Sequence, residues 1–266
     1  MIELRDVWYR YPEGIEALRG VSLKIEDGEF VLISGPSSCG KTSLCRCLNG
    51  LIPHFYGGTI KGKVNVEGFD VLKTSTRKLA LKVGFVSQDP ENQLVALNVE
   101  DEIAFGLENF GFPKSLIAKR IEESLNAVGA EELRLKNIYE LSGGEKQKIA
   151  IASVLALQPK ILVLDEPTRG MDYKLKVELM KYLDNYRKNG NTIILVTHDV
   201  EVVAEYADRV VLMGDGKVIV DGFKREILSK ALFFSPQMNR LAQAYEEYGF
   251  PPNVLTVEEF VKVLGI

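Results

Sequence analysis

The chain reads as an α/β protein with a mixed β core, an antiparallel β subdomain, an inserted helical subdomain and a small helical C-terminal appendix. Three observations predict this. Apolar runs bounded by turn residues alternate with helical stretches, the pattern of a sheet built through crossovers. Residues 1–28 and 58–72 break that alternation with β-like runs turning at Gly57-Gly58 and Glu67-Gly68. Residues 98–140 are almost wholly helical in pattern, and the chain beyond Gly222 is again mostly helical, with Pro236 and Pro251-Pro252 as breaks.

Taken in order, the strand-like runs are VSLKI (21–25), FVLIS (30–34), KVGFVS (82–87), ILVLD (161–165), TIILVTH (192–198) and RVVLMG (209–214). The last few are continuously apolar, as expected of strands covered on both faces. The helical stretches between them are KTSLCRCLNG, KSLIAKRIEESLNAVG, GEKQKIAIASVLAL, KLKVELMKYLDNYRKNG and VEVVAEYA. The predicted division is a main unit over 1–222, with its helical subdomain at about 90–150, and a helical region over 223–266.

Composition narrows the class. The 266 residues are 46% apolar and 26% charged, ordinary for a globular protein. No apolar run approaches the roughly 18–20 residues that span a bilayer, and the opening MIELRDVWYRYPEG lacks a signal peptide's basic and apolar regions. The expectation is a cytoplasmic chain that reaches a membrane only through a partner. A net charge of −4 with interspersed signs argues against nucleic acid as that partner. Cys39, Cys45 and Cys47 lie close together with no nearby histidine, so reduced, buried or half-buried thiols are expected rather than a zinc site.

GPSSCGKT at 35–42 matches G-x-x-x-x-G-K-[ST], follows an apolar strand and opens a helix. Against a chance glycine turn, that context favours a phosphate cradle: amides of a tight turn and a helix N-terminus face anionic oxygens. Gly35, Pro36, Ser37, Ser38, Cys39, Gly40, Lys41, Thr42 and Ser43 are the candidate nucleotide contacts. Lys41 would place its charge at the β/γ phosphates, and Thr42 would offer a hydroxyl to Mg²⁺. Ser38 stands where related loops often carry glycine, so an unusual backbone angle there would strain the loop. Further on, ILVLDEP ends a buried strand in two acids. Asp165 fits a Mg²⁺ contact and Glu166 a base polarising the attacking water; the alternative is a pair of helix N-cap acids.

LSGGEKQK at 141–148, whose serine lies 23 positions before Asp165, resembles the signature of ATP-binding-cassette (ABC) ATPases. Further elements match in order along nearly the whole length to Gly222. Tyr11 of YRYP resembles the aromatic that stacks on adenine. Gln88 of FVSQDPENQ resembles the Q-loop glutamine that touches Mg²⁺ and the attacking water. Asp172 of TRGMD matches the D-loop, and His198 of LVTHD the switch histidine facing the γ-phosphate. Tyr11 or His198 alone would read as an ordinary core or surface residue; the resemblance rests on seven elements in sequence.

The resemblance implies ATP and Mg²⁺ as ligands, with Glu166, His198 and Gln88 catalytic and Thr42, Gln88 and Asp165 around the metal. It also implies that Ser142, Gly143 and Gly144 face the nucleotide of a second ABC ATPase subunit, identical or related, in a head-to-tail dimer. LIPHFYGGTIKG, the stretch from Gln88 to Asn109, TRGMD and the tail FFSPQMNRLAQAYEEYGFPPNVLTVEEFVKVL resemble energy-coupling-factor importer ATPases. Those power vitamin or transition-metal uptake. The implied partners are a transmembrane coupling protein and a substrate-binding membrane subunit, on the cytoplasmic face of the cell membrane. The tail would pair the ATPases. Asp89, Glu91, Glu100, Asp101 and Glu102 suit a groove for a basic or helix-dipole end of the coupler; a solvated acidic face is the alternative. Rival classes are another ABC transporter's ATPase, an ABC ATPase with no membrane partner, and a scaffold with a degenerate site.

Overall fold

The computed structural model describes residues 1–230 and 235–265. The N-terminal hairpin pairs β1 (Ile2–Arg10) with β2 (Glu16–Ile25). β3 (Phe30–Ser34) follows, then a loop and α1 (Lys41–Leu48). A single helical turn, α2 (Leu51–His54), leads to β4 (Thr59–Val66) and β5 (Phe69–Asp70). The short α3 (Thr76–Ala80) precedes β6 (Val83–Val86). Then come α4 (Val99–Asn109), α5 (Lys114–Ala127) and α6 (Gly143–Leu155). β7 (Ile161–Asp165), α7 (Tyr173–Lys188), β8 (Thr192–Val196), α8 (Val200–Tyr206) and β9 (Arg209–Gly214) alternate. β10 (Lys217–Phe223) turns back, and α9 (Lys224–Leu228), α10 (Gln237–Ala244) and α11 (Val257–Leu264) follow.

Two sheets result. One is antiparallel, in the order β2-β1-β4-β5; the other runs β10-β9-β3-β8-β7-β6 and is parallel except for its β9–β10 edge. β3, β7 and β8 are buried along their whole length, which explains their unbroken apolar sequence: both faces need cover. Successive residues divide between two cores. Val31, Ile33, Ile161, Val163, Ile194 and Val196 pack with α1 and the antiparallel sheet. Phe30, Leu32, Leu162, Leu164, Ile193 and Leu195 pack with Leu179, Met180 and Leu183 of α7 and Val203 of α8. A third core joins Ile103 and Leu107 of α4, Ile121 and Leu125 of α5, and Ile149 and Ala152 of α6. Burying one such Ile or Leu side chain is worth about 1.5–3 kcal/mol, and Ile151 and Leu155 of the same α6 join the second core, tying the helices to the sheet.

The expected antiparallel pieces belong to one sheet: β4 pairs with β1, although more than fifty residues of chain separate their starts. Both expected turns have left-handed backbones, at Gly57, Gly58, Glu67 and Gly68. The structure differs from the sequence reading in two places. β10 is a strand that the sequence reading did not identify, and its exposed Ile219 and Phe223 show why: an edge strand open on one face lacks the unbroken apolar run of its neighbours. Tyr11 lies just past β1 rather than within it, since β1 ends at Arg10. Of the C-terminal segment, residues 231–234 and 266 lie outside the described residues, including the two phenylalanines that open the tail segment.

Candidate nucleotide site

The loop between β3 and α1 follows from close packing. At Gly35 an added Cβ would stand 2.2 Å from the Met213 carbonyl oxygen, and at Gly40 2.5 Å from that of Ala17. Glycine is therefore required at both for the chain to turn tightly at the end of β3. Ser38 has φ +61°, the left-handed angle expected to strain a non-glycine residue. Pro36, Ser37 and Ser38 are exposed, whereas Cys39 and Ser43 are buried. Lys41 Nζ donates to the carbonyls of Gly35 and Pro36, both at 2.8 Å, so the ammonium closes the loop's own mouth.

The acid end of β7 meets this loop. Thr42 Oγ1 donates to Asp165 Oδ2 at 2.6 Å. Burial raises the Asp165 carboxyl above the ordinary carboxylate range, although the Thr42 hydrogen bond opposes the shift. Gln88, exposed at the end of β6, lines the same cleft of about 610 Å³ as Thr42 and Asp165. A hydroxyl, a carboxylate and an amide carbonyl are hard oxygen donors, the set that suits Mg²⁺ sharing its shell with phosphate. Among the described residues no cluster of three or more His, Cys, Asp or Glu could hold a metal alone.

Glu166 is held unusually firmly. Its backbone is left-handed at φ +53°, and its amide donates to the Val196 carbonyl at 2.8 Å. Thr197 Oγ1 donates to Glu166 Oε2 at 3.0 Å, and His198 Nδ1 lies 2.8 Å from Oε1. The His198 side chain is 78% exposed while that of Glu166 is 11% exposed, so the histidine can swing into solvent and the acid cannot. Sequence reading missed Thr197; its only signal is its place beside His198.

Tyr11 sits beside the cradle. Its hydroxyl is 3.0 Å from Ser43 Oγ and accepts from Arg46 at 3.2 Å, with its ring edge-on to Tyr9 and Tyr56. Asp172 is exposed and caps α7, accepting from the Leu175 amide at 2.9 Å. Ser142 caps α6 in a reciprocal capping box with Glu145; hydrogen bonds from Ser142 hold the Glu145 carboxyl below its usual range. The signature turn does not enter its own chain's cradle cleft. Gly143 and Gly144 line a neighbouring cavity with Arg169 and Gly170, which meets the first at Gln88 and Asp89.

Of the acidic stretch, Asp89 and Glu91 line cavities beside Gln88, whereas Glu102 serves the fold. Glu102 is buried and accepts from the amides of Val95 and Ala96 at 2.8 and 2.7 Å. Glu91 pairs with Lys146 at 2.5 Å and Glu100 with Arg134 at 2.7 Å. Asp101 accepts from the Asn98 side chain, and Asp89 from that of Asn92. Each acid thus has a partner within the chain, although Asp89, Glu91 and Asp101 remain exposed. The groove beside Gln88 is the cleft of Thr42 and Asp165 itself; besides Asp89 it is lined by Leu51, Phe55, Ala80, Phe85, Val154 and Leu157.

A phosphate cradle after the central strand, an acid pair on the next strand but one, and a capped glycine turn on a helical insertion define a P-loop ATPase cassette. The ABC transporter family matches residues 18–169, and the chain belongs to that family. A putative ABC transporter ATP-binding protein of Pyrococcus horikoshii is 39% identical over 267 residues, covering the whole of both chains. The energy-coupling factor transporter ATP-binding protein EcfA of Methanocaldococcus jannaschii is 40% identical over 86% of this chain and 81% of its own. A putative ABC transporter ATP-binding protein of Methanosarcina acetivorans, 41% identical, matches all of this chain, yet the chain spans only 42% of that relative's length.

Among solved structures, CbiO1 of Clostridium perfringens, part of the ABC transporter complex CbiONQ, superimposes with a TM-score of 0.76. It shares 33% identity over 93% of this chain and 96% of its own. An ABC cassette solved as a post-hydrolysis dimer with ADP and Pi gives the same TM-score at 29% identity, over 85% of this chain and 99% of its own. No helix of the described residues is long and apolar enough to cross a membrane.

Proposed function

We propose that this chain is the ATP-hydrolysing motor subunit of a membrane importer of the energy-coupling-factor type, acting as a head-to-tail pair of cassettes. The observation that carries the reading is the division of the site. Thr42 and Asp165 line one cleft and Gly143 and Gly144 its neighbour, with Gln88 and Asp89 at both. One chain thus offers a cradle without a signature turn and a signature turn without a cradle. A second subunit supplies the missing half to each, with Ser142, Gly143, Gly144 and Asp172 turned towards the nucleotide across the interface.

In the cycle, the cradle amides and Lys41 take the triphosphate, and Lys41 leaves the carbonyls it now holds. Thr42, Asp165 and Gln88 would hold Mg²⁺, which would supply charge neutralisation to the phosphates. His198 turns from Glu166 to the γ-phosphate, freeing Oε1, while Thr197 keeps Oε2 fixed. Glu166 then takes a proton from the attacking water as the new O–P bond forms and the bond to the bridging oxygen breaks. Lys41 and His198 stabilise the developing charge.

Kinship with EcfA and CbiO1 favours importer over other ABC classes. The apolar side of the same cleft, at Leu51, Phe55, Ala80, Phe85 and Leu157, suits a helix of a transmembrane coupling protein. Leu241, Tyr245, Val257, Val261 and Leu264 are exposed on α10, its end and α11, so residues 223–266 serve as the pairing region. The decisive experiment is light scattering of Glu166→Gln with ATP. Loss of a positioned base lowers turnover by about 10²–10⁴, so this variant keeps ATP and accumulates as a dimer, whereas Lys41→Ala loses ATP binding. A monomer at high concentration with ATP bound overturns the composite site. Near-normal turnover overturns the base.

A further inference from the structure

We infer that Lys176 and Asp199 are positioning residues that tie the helix behind the D-loop to the catalytic base, so that contact with a second subunit at Asp172 is felt at Glu166. The inference rests on the composite-site reading above. The link is continuous. Asp172 caps α7, and its carbonyl accepts from the Lys176 amide at 3.0 Å. Lys176 Nζ donates to Asp199 Oδ2 at 2.6 Å. The Asp199 amide donates to Thr197 Oγ1 at 3.0 Å, and the same hydroxyl donates to Glu166 Oε2 at 3.0 Å. Thr197 is buried and its hydroxyl serves both neighbours, so a shift of Asp199 reaches the carboxylate directly.

Neither charge is placed for local stability. Asp199 occupies the N-cap of α8, where a carboxylate ordinarily accepts from the helix's first amides, yet it makes no such bond. Lys176 stands in the first turn of α7, where the helix dipole disfavours a cation. The pair is about one-quarter exposed on each side, and ion pairs near the surface contribute little to folding. What the pair does supply is a fixed distance between α7 and the switch loop. His198, between Thr197 and Asp199, is carried on the same short segment.

The test compares Lys176→Met, Lys176→Arg, Asp199→Asn and the double variant Lys176→Met/Asp199→Asn with the unsubstituted chain. Lys176→Met and Asp199→Asn each lower kcat about tenfold with KM within about twofold, the pattern of an interaction needed only in the transition state. The double variant is no worse than either single one, since both break one link. Lys176→Arg restores most of the rate. The Hill coefficient for ATP falls towards one in the single variants, a change that mere loss of packing does not produce. Melting temperatures check that each variant folds, and Lys176→Met carries the test if Asp199→Asn does not.

Additive losses, or a Lys176→Met kcat within about twofold of normal with cooperativity intact, overturn the inference. The two failures separate in the Glu166→Gln background. If Glu166→Gln alone does not dimerise with ATP, the composite site falls. If it dimerises while Lys176→Met keeps full rate and cooperativity, only the relay falls.

Discussion

Replacing Glu102 should separate a structural acid from a docking acid. Its carboxylate is buried, and the amides of Val95 and Ala96 converge on one oxygen, Oε2, at 2.8 and 2.7 Å. Two hydrogen bonds to a charged group contribute about 1.5 kcal/mol each at the lower end of their range. Val95 is exposed, so water returns part of that loss, leaving Glu102→Ala about 2 kcal/mol less stable. For a domain of this size that is about 4–8 °C in melting temperature. Glu102→Gln behaves differently, because an amide oxygen can accept both bonds and only the charge is lost; its cost is below about 1 kcal/mol. Urea unfolding monitored by circular dichroism measures both. Equal losses for Ala and Gln, or an Ala loss under about 0.5 kcal/mol, would refute the convergent-acceptor account.

Other expectations follow from the cradle and its surroundings. Gly35→Ala drives a methyl into the Met213 carbonyl, so equilibrium dialysis should find ATP binding abolished or the protein insoluble; retained affinity would contradict the packing. Ser38→Gly relieves a left-handed serine, worth about 1 kcal/mol, but frees the unfolded chain by about as much. Stability should then stay within about 0.5 kcal/mol, and a change above about 1.5 kcal/mol would contradict the balance. Cys45 and Cys47 are wholly buried, and burial lifts both thiols above their ordinary values. Thiol titration of native protein should therefore miss both even at mildly alkaline pH, where an exposed cysteine ionises, and urea should release them; rapid native labelling of either would show the α1 core to be open.

How much was legible in advance can be argued from particular residues. Gly35 to Ser43, and Asp165 with Glu166, could be picked out as candidates because phosphate chemistry favours those residue types at fixed spacing after a buried strand. The central strands were readable because burial on both faces writes an unbroken apolar run. β10 was not, because its outer face needs no apolar cover. Glu102 looked like part of an acidic face, since sequence shows charge but not the amides that a charge meets.

The sequence alone determined the class of chemistry, the order of the motifs and the alternation of strand and helix, because each is a local demand of backbone geometry or phosphate contact. Only the tertiary structure decided which residues far apart in the chain share a hydrogen bond. Thr197 with Glu166 and Lys176 with Asp199 meet because parallel strands end at one edge of the sheet, bringing β7, β8 and the start of α7 together. The separation of the signature turn from its own cradle is of the same kind. It comes from where α6 packs, between the core of α4 and α5 and that of the central sheet, a consequence of three-dimensional arrangement that no spacing along the chain records.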